Sequence, residues 1–379
     1  MTNKAKIKVE EEINKGAGLS VINLVNNLIE CADGVRASDI HLDSKPDGIK
    51  IRFRIDGVLK DFFVLPKSLQ SEVISRIKIL SNLRTDEHQT TQDGRFRITF
   101  SDTLVVDVRV AITPTYYGES AVLRILSDNS ADFALESLGY SESDRKKILY
   151  AIQKPYGMIL ATGPTGSGKT TSLYAFIKLL NKEDVSIITI EDPIEYAMDN
   201  IKQIPVNTRT GLTFANGLRS ILRQDPDIIM VGEIRDEETA GLAVNTALTG
   251  HLVLSTLHTN DAATTLPRLL DMKAEPYLVA STVNIAIGQR LVRKICDDCK
   301  KQHTLSETEF KSLMGTVSSN ILGSNRKFYK GEGCDKCNMS GYKGRVGIYE
   351  VILVDDDIRQ CILKKVSADD LKKVAVKNG

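Results

Sequence analysis

The sequence predicts an α/β protein in which a doubly wound core follows an α+β domain and carries a small cysteine-bearing subdomain. Short runs of alternating polarity dominate residues 37–126, and such runs are typical of half-buried antiparallel strands. From residue 157 onward, short apolar runs alternate with helical patterns, which indicates a buried parallel sheet. Two C-x-x-C pairs then stand near the end of the chain, and their spacing favours a bound metal.

Length and composition limit the class of protein. The chain has 379 residues, which is enough for two or three domains. Hydrophobic residues make up 42% and charged residues 26%, close to the average of soluble globular proteins. Because 50 basic residues face 49 acidic ones and leave a net charge of +1, no global field favours DNA or an anionic membrane as the main partner.

The N-terminal residues and the hydropathy pattern bear on location. The opening run MTNKAKIKVEEEINKGAG is too charged for a secretory signal. No apolar run reaches the about 18 residues that a membrane-spanning helix requires. We therefore expect a cytoplasmic protein, and docking onto a membrane complex stays open.

The first third of the chain is predicted to form an α+β domain over residues 19–130, after a charged, disordered tail over residues 1–18. Its first helix is amphipathic, with apolar residues at helical spacing, namely Val21, Leu24, Val25 and Leu28. A second helix lies within SLQSEVISRIKILSNL. Asp56-Gly57 predicts a hairpin turn. The predicted strands are Asp39–Leu42, Ile49–Ile55, Val58–Val64, Arg95–Phe100, Thr103–Val110 and Ser120–Leu126.

The remainder divides into a linker, a core and two smaller segments. Residues 127–141 are small, polar and acidic, which predicts a linker. The core is predicted over residues 131–290, with apolar strands in GMILAT, SIITIE, DIIMVGE and LVLST. Helices are predicted from Lys169, near Phe214–Arg223 and near Asp236–Leu248. Residues 291–345 hold the cysteine pairs, and residues 346–379 are predicted as a C-terminal helical segment.

The run GPTGSGKT fits the phosphate-loop pattern G-x-x-x-x-G-K-[ST] in full, between an apolar run and a helical pattern. Backbone N–H groups of such a loop and the helix N-terminus cradle phosphate oxygens. Lys169 would reach the β- and γ-phosphates, and Thr170 would ligate Mg²⁺. A glycine-rich turn with an accidental lysine would not explain the flanking strand and helix. The expected ligands of ATP are Gly163, Pro164, Thr165, Gly166, Ser167, Gly168, Lys169, Thr170 and Thr171.

Two apolar runs of the core end in acidic residues, and a third is followed by a histidine. Open α/β sheets bind ligands at the carboxyl ends of their strands. We therefore assign Glu233 as the carboxylate on the Mg²⁺ side and Glu191 as the base that orients water. His258 follows LVLST closely and is a candidate γ-phosphate sensor, preferred over His251. The alternatives are solvated strand-end acids and an ordinary histidine.

Four of the six cysteines form two C-x-x-C pairs, Cys296/Cys299 and Cys334/Cys337. Two such pairs suit a tetrahedral Zn²⁺ site, and four thiolates leave no open coordination position, so the metal would be structural. An insert must fold between the pairs because their separation exceeds that of a standard zinc ribbon. Cys31 and Cys361 lie outside the pattern and are expected to be buried thiols.

Further motifs stand in unbroken order between about Ala37 and Val351, and they include ASDIHL, RFRIDGVL, QDGR, VDVRV, TIEDPIEY, LRQDPDIIMVGEIRD, TGHLVLSTLHTN, QRLVRKIC and GRVGIYEV. Together with GPTGSGKT, they resemble the secretion-superfamily ATPases. The branch that they resemble most drives type II secretion and type IV pilus assembly. The cysteine tetrad agrees, since assembly-type members carry it and retraction-type members typically lack it.

The resemblance implies a RecA-like core, a PAS-like N-terminal domain and a ring-shaped homo-hexamer on the cytoplasmic face of the inner membrane. Nucleotide would sit between the domains, and ATP hydrolysis would act on platform and docking proteins of a secretion or pilus machine. By motif, Arg109 and Arg124 would touch the γ-phosphate. The nucleotide site would be completed by Arg219, Arg223 and Arg235, although a surface salt bridge is an equal alternative for Arg235.

The match departs from the family in two places. Full-length members usually carry a further N-terminal domain that binds a membrane-complex partner, whereas the predicted motor domains begin here almost at the first residue. The chain also stops at VKNG, where relatives often continue. We therefore expect a short member or a trimmed chain, with partner docking undefined and the ATPase core intact.

Three other functions are alternatives to a secretion or pilus-assembly ATPase. A nucleic-acid motor, such as a helicase or DNA translocase, would use the same core, but the near-zero net charge and the lack of an aromatic series argue against nucleic acid as a partner. A non-hydrolysing scaffold conflicts with Glu191 and Glu233. A conjugative or DNA-uptake pilus motor is a close variant that the sequence leaves open.

Overall fold

A computed structural model describes residues 2–101, 104–127, 134–314 and 327–379. The chain divides into two compact units, residues 1–130 and 131–379. Thr103, at which one strand was predicted to begin, lies outside the described residues, and so do residues 128–133 of the predicted linker. Within the described ranges, none of the helices has the length and hydrophobicity that a bilayer crossing requires.

The first unit is built on a six-stranded antiparallel sheet with the strand order β3-β2-β1-β6-β5-β4. The strands are β1 (Ala37–Lys45), β2 (Gly48–Ile55), β3 (Val58–Pro66), β4 (Gln92–Ser101), β5 (Leu104–Thr115) and β6 (Gly118–Ser127), and the helices are α1 (Thr2–Asn14), α2 (Val21–Gly34) and α3 (Gln70–Leu80). Both predicted helices and the hairpin turn at Asp56-Gly57 are confirmed. Helices α2 and α3 pack on one face of the sheet, where residues such as Ile40, Phe53 and Leu123 form the core.

The prediction of a disordered tail over residues 1–18 is wrong, because helix α1 occupies most of it. Ala5 and Val9 are buried and Ile13 packs beside them in the core of the first unit. These three residues stand four positions apart and so share one helix face. The charged residues between them conceal this narrow apolar face in the sequence.

The second unit holds a seven-stranded sheet with the order β15-β12-β7-β11-β10-β8-β9. Its six strands from β12 to β9 are parallel, and β15 pairs antiparallel at the edge. The sheet strands are β7 (Gly157–Thr162), β8 (Ile187–Glu191), β9 (Lys202–Pro205), β10 (Ile228–Val231), β11 (Leu252–Leu257), β12 (Val283–Ile295) and β15 (Tyr342–Leu353). A two-stranded ribbon, β13 (Lys300–Thr304) and β14 (Lys327–Gly331), carries the insert between the cysteine pairs.

Helices cover both faces of this sheet, as the predicted doubly wound core requires. Strand β7 shows this directly, since Met158 and Leu160 belong to one hydrophobic cluster while Ile159 and Ala161 belong to another. Alternate side chains of a strand point to opposite faces, so both faces are buried. The helices are α4 (Glu142–Ile152), α5 (Lys169–Leu180), α6 (Phe214–Ile221), α7 (Glu237–Leu248), α8 (Ala262–Asp271), α9 (Pro276–Thr282), α10 (Glu307–Met314), α11 (Asp356–Leu363) and α12 (Ala368–Lys377).

The α/β fold class is confirmed, but two predicted boundaries are corrected. The limits at residues 290 and 345 fall inside β12 and β15, which pair along most of their length. The cysteine-bearing segment is therefore an outgrowth of two core strands. The C-terminal segment from residue 346 begins as strand and is helical only from Asp356.

Candidate functional site

The phosphate loop joins the end of β7 to the start of α5, at the carboxyl edge of the parallel sheet. Gly163 has φ = 140°, and a Cβ atom there would lie 2.3 Å from the backbone oxygen of Gln289. Gly168, which caps α5, has φ = 88°. Both positions therefore require glycine. The loop places the free N–H groups of the first turn of α5 around an anion site.

Lys169 is folded into this loop. Its Nζ donates to the carbonyl oxygens of Gly163 at 2.8 Å and Pro164 at 3.2 Å, and the residue is 9% exposed. Burial lowers the pKa of Lys169, while the charge of Glu233 opposes that shift. Ser167 is also buried, and its hydroxyl has no hydrogen-bond partner among the described residues. Pro164, Thr165 and Gly166 are exposed, and Thr170 and Thr171 are half-buried.

Glu233 lies just beyond the end of β10, where two cationic or polar side chains hold its carboxylate. Arg235 Nη2 donates to Oε1 at 2.5 Å, and His258 Nε2 lies 2.8 Å from Oε2. Burial raises the pKa of Glu233, but the hydrogen bonds from Arg235 and His258 outweigh it, so the pKa lies below its ordinary value. Glu233 is thus kept ionised, as a metal-side carboxylate must be.

Hydrogen bonds between two threonines, Thr162 and Thr259, link the carboxyl ends of the neighbouring strands β7 and β11. The Thr162 hydroxyl, at the end of β7, lies 2.9 Å from the carbonyl oxygen of Thr259 and accepts the Thr259 N–H at 3.0 Å. Because Thr259 follows His258 directly, this contact sets the position of His258 relative to the start of the phosphate loop. No local pattern of residues indicates the pairing between these threonines, which are 97 positions apart.

Glu191 lies at the end of β8 inside a buried hydrogen-bond network, and its role as the base that orients water stays a prediction. The residue is 2% exposed, and its carboxylate accepts hydrogen bonds from the Tyr174 hydroxyl, from Thr189 Oγ1 at 2.5 Å and from Gln203 Nε2 at 3.2 Å. Burial raises the pKa of Glu191, and the three hydrogen bonds only partly oppose that shift. These hydrogen bonds tie α5 to the ends of β8 and β9.

The arginines predicted from the family motifs lie in different parts of the chain. Arg219 donates to Glu238 Oε1 at 2.6 Å, and Arg223 lies at the end of α6 with a long contact of 3.4 Å to Ser220. Both are on the surface of the second unit. Arg235 is bound to Glu233, as described above. The structure therefore brings only Arg235 of these three into direct contact with another predicted site residue.

Arg109 and Arg124 belong to a row of charges on the face of the first unit's sheet that points away from the core of that unit. The row runs across five adjacent strands and comprises, in order, Arg54, Asp39, Arg124, Arg109 and Arg95. Asp39 is shared, since Arg124 Nε donates to its Oδ1 at 3.2 Å and Arg54 Nε lies 3.3 Å from its Oδ2. A single carboxylate thus orients two guanidinium groups of this arginine row.

The four predicted cysteines converge as the spacing required. Their Sγ atoms all lie within 4.8 Å of one another, with separations of 3.9 Å for Cys296–Cys334 and for Cys299–Cys337 and 3.7 Å for Cys334–Cys337. A tetrahedron with Zn–S bonds of about 2.3 Å has sulfur–sulfur edges of about 3.8 Å. The N–H groups of Cys334 and Gly341 also donate to Cys337 Sγ at 3.2 and 3.3 Å, which stabilises a thiolate. The geometry fits a four-coordinate metal ion.

The chain is similar to known proteins along most of its length. The profile of the family described as type II/IV secretion system protein matches residues 15–379. The type II secretion system protein E of Dickeya dadantii is 45% identical over 342 residues, which is 90% of this chain and 67% of the relative.

A pilus assembly ATPase and a solved pilus retraction motor are also similar to this chain. The type IV pilus assembly ATPase PilB of Myxococcus xanthus is 42% identical over 380 residues, or 100% of this chain and 67% of the relative. Among solved structures, the pilus retraction motor PilT with bound ADP superimposes with a TM-score of 0.62 at 28% identity, over 92% of this chain and 87% of that one.

Proposed function

Because the chain belongs to the type II/IV secretion system protein family and is an ATPase of that family, we propose that it hydrolyses ATP to power the assembly of a type II secretion pseudopilus or a type IV pilus. The observation that carries this proposal is the position of Glu233. It stands at a strand end beside the phosphate loop, ionised and held between Arg235 and His258. Two relatives that share most of this chain are named for these two machines.

The phosphate loop would hold the triphosphate chain of ATP through its backbone N–H groups and Lys169. On ATP binding, the Lys169 ammonium would leave the carbonyl oxygens of Gly163 and Pro164 for phosphate oxygens. The Ser167 hydroxyl, which has no partner in the described part of the chain, gives a further donor in the loop. Bound Mg²⁺ would offset charge on the phosphates, with Thr170 as a direct ligand and Glu233 on the metal side.

The arginine row supports a role for the first unit in the cycle. Arg109 and Arg124 would bind the γ-phosphate, and hydrolysis would release them, so that ATP turnover becomes domain motion. Asp39 supports this assignment, because it orients Arg124 before any phosphate is bound. Guanidinium groups suit this task, since they offset the charge of a transferring phosphoryl group.

The cysteine tetrad would bind a structural Zn²⁺ ion. Its sulfur–sulfur distances match the edges of a zinc tetrahedron, and four sulfur ligands leave no position for a substrate. The metal would clamp the outgrowth of β12 and β15 rather than take part in hydrolysis. The cysteine tetrad favours an assembly motor over a retraction motor.

The same family membership supports the larger assembly. We place the chain in a homo-hexamer at the cytoplasmic face of the inner membrane, where it would act on platform and docking proteins. Arg219 and Arg223 are exposed on the second unit, and a neighbouring subunit's nucleotide is their proposed target. The alternative of a nucleic-acid motor would require that single-stranded DNA stimulates the ATPase activity.

Replacement of Glu233 by Gln tests the proposal. The variant keeps the shape of the side chain but loses the charge, so it should bind Mg-ATP with native affinity and lose nearly all ATPase activity. Turnover at the native rate would overturn the assignment. Asp271→Asn, which removes a carboxylate at the end of α8, is a control that should keep full activity.

A further inference from the structure

Gln289 of β12 contacts the phosphate loop and α5, but it is not among the residues assigned above to ATP or Mg²⁺. The residue is 3% exposed. Its Nε2 donates to the carbonyl oxygen of Ser167 in the phosphate loop at 2.8 Å, and its Oε1 accepts from Ser172 Oγ of α5 at 2.9 Å. Its own backbone oxygen lies against Gly163, where a Cβ would approach to 2.3 Å. Gln289 therefore contacts both ends of the loop.

These contacts fix the orientation of the Gln289 amide. If the group were reversed, its oxygen would face the carbonyl oxygen of Ser167, and two acceptors would oppose each other. The hydroxyl of Ser172 could adapt to either orientation, but the carbonyl of Ser167 cannot. The amide therefore has one orientation, in which Nε2 donates to Ser167. A side chain without a donor at this position cannot hold the carbonyl of Ser167.

A third residue extends the contacts away from the loop. The Tyr140 hydroxyl donates to Ser172 Oγ at 3.1 Å, and Tyr140 and Ser172 are 7% and 1% exposed. The Tyr140 ring stacks on Tyr349 with 3.7 Å between ring centroids, and the Tyr349 hydroxyl donates to the carbonyl oxygen of Leu138 at 2.8 Å. The first described residues of the second unit, 134–140, are thus tied to the phosphate loop.

We propose that Gln289 is a positioning residue for the phosphate loop, and that the chain of hydrogen bonds Tyr140–Ser172–Gln289–Ser167 couples the loop to residues 134–140. The inference rests on the proposed function, because it takes the loop to be the ATP site. It adds a path by which residues 134–140 change nucleotide affinity. The path is buried from end to end, so water cannot replace a broken link.

Tyr140→Phe is the sharpest test, because it removes one hydroxyl and keeps the stacked ring. Gln289→Met removes both hydrogen bonds of the amide and keeps the length of the side chain. Tyr277→Phe is the control, since this tyrosine is exposed. For each variant, the Kd of Mg-ADP and the KM and kcat of ATP hydrolysis are measured at a temperature where circular dichroism shows a folded chain.

Tyr140→Phe should raise Kd and KM by about threefold to tenfold, the range for one lost buried hydrogen bond, with a smaller change in kcat. Gln289→Met should raise Kd and KM at least as much. The double variant that combines Tyr140→Phe with Gln289→Met should match Gln289→Met alone, because the Gln289 change already breaks the path. An unchanged Kd in Tyr140→Phe, or additive effects in the double variant, would overturn the coupling. A merely structural role predicts lower melting temperatures with unchanged Kd.

Nucleotide binding by the unmodified chain distinguishes a failure of the proposed function from a failure of the coupling. If the unmodified chain did not bind Mg-ADP or Mg-ATP, the proposed function would fail, and this inference with it. If the unmodified chain bound and hydrolysed ATP while Tyr140→Phe behaved like Tyr277→Phe, only the coupling would be refuted.

Discussion

His258 Nε2 lies 2.8 Å from Glu233 Oε2, although the two residues belong to different loops of the second unit. The pair spans the carboxyl ends of β10 and β11, which are neighbours in the parallel sheet. Arg235 holds the other oxygen of the same carboxylate. Glu233 is therefore fixed at both oxygens, and its orientation depends on His258.

Removal of His258 should impair hydrolysis more than binding. In His258→Ala, Glu233 loses one of its two partners and can turn toward Arg235, so we expect kcat to fall by about 10–100-fold, as is usual when a hydrogen-bond partner close to a metal site is lost. The Kd of Mg-ADP should change little. Steady-state ATPase assays and nucleotide titrations measure both quantities.

The chain offers a matched control at the other end of the same strand. His251 precedes β11, and its Nδ1 lies 3.1 Å from the carbonyl oxygen of Thr246, away from Glu233. His251→Ala should keep a native kcat. Equal losses in the two variants would show that the histidines support the strand and that the contact with Glu233 is incidental.

Glu191 predicts a pH dependence of stability. Burial raises its folded-state pKa above the ordinary value of 4.5, so its contribution is fully present below pH 4.5 and is lost as pH rises through the folded-state pKa. Glu191→Gln removes this titration. The stability of the variant relative to the unmodified chain should therefore increase as pH rises from about 4.5.

Urea unfolding of both chains across that pH range measures the effect. The comparison is between two chains, so the other titrating groups cancel to first order. Glu183→Gln, a change at an exposed residue between α5 and β8, is the control and should show no such trend. A difference that stayed constant with pH would show that Glu191 has the same pKa in the folded and unfolded chains.

The fold could be predicted from the sequence further than the site could. The phosphate loop and the two C-x-x-C pairs are recognisable from residue spacing alone. The structure shows the loop between β7 and α5 and the four cysteine sulfurs in one cluster. Glu191 illustrates what the sequence does not predict. Its position at the end of a strand follows from the local pattern, but its hydrogen-bond partners do not. Tyr174 precedes it by 17 residues and Gln203 follows it by 12, and only the folded sheet brings these side chains together.

Other elements were missed for different physical reasons. Helix α1 was hidden because its apolar face is one residue wide and the charges around it dominate the composition. Gln289 stands within the quoted motif QRLVRKIC, yet its role depends on where β12 lies beside β7. The shared carboxylate of Asp39 likewise follows from strand register rather than from any local pattern.

The cysteine tetrad should bind one equivalent of Zn²⁺, and the metal should matter for stability rather than for nucleotide binding. Cys334→Ser replaces a sulfur ligand with a weaker oxygen and should lose the zinc and lower the melting temperature, while the Kd of Mg-ADP stays native. Zinc content is measured by elemental analysis of the purified chain. Cys31→Ser, at a buried thiol of the first unit, should retain the metal, and loss of zinc from that variant would contradict the site.

Arg109 and Arg124 should distinguish ATP from ADP. If they bind the γ-phosphate, Arg124→Ala and Arg109→Ala should each weaken binding of a non-hydrolysable ATP analogue by about 10–100-fold, the range for a charge-assisted hydrogen bond. The Kd of Mg-ADP should stay unchanged because ADP lacks that phosphate. Arg97→Ala is the control, since Arg97 lies in the same sheet and pairs with Asp107 at 2.7 Å. Equal weakening of both nucleotides would remove these arginines from the γ-phosphate.

Assembly into a ring should make ATP turnover depend on protein concentration. The exposed Arg219 and Arg223 are proposed to complete the nucleotide site of a neighbouring subunit, so an isolated chain would hold ATP without the full set of charges that offset the transferring phosphoryl group. Turnover per chain should therefore rise with concentration and then level off as rings form, in parallel with the mass measured by light scattering. Arg223→Ala should abolish the rise while preserving the mass. A turnover per chain that stayed flat across the transition to a ring would show that each subunit's site is complete on its own.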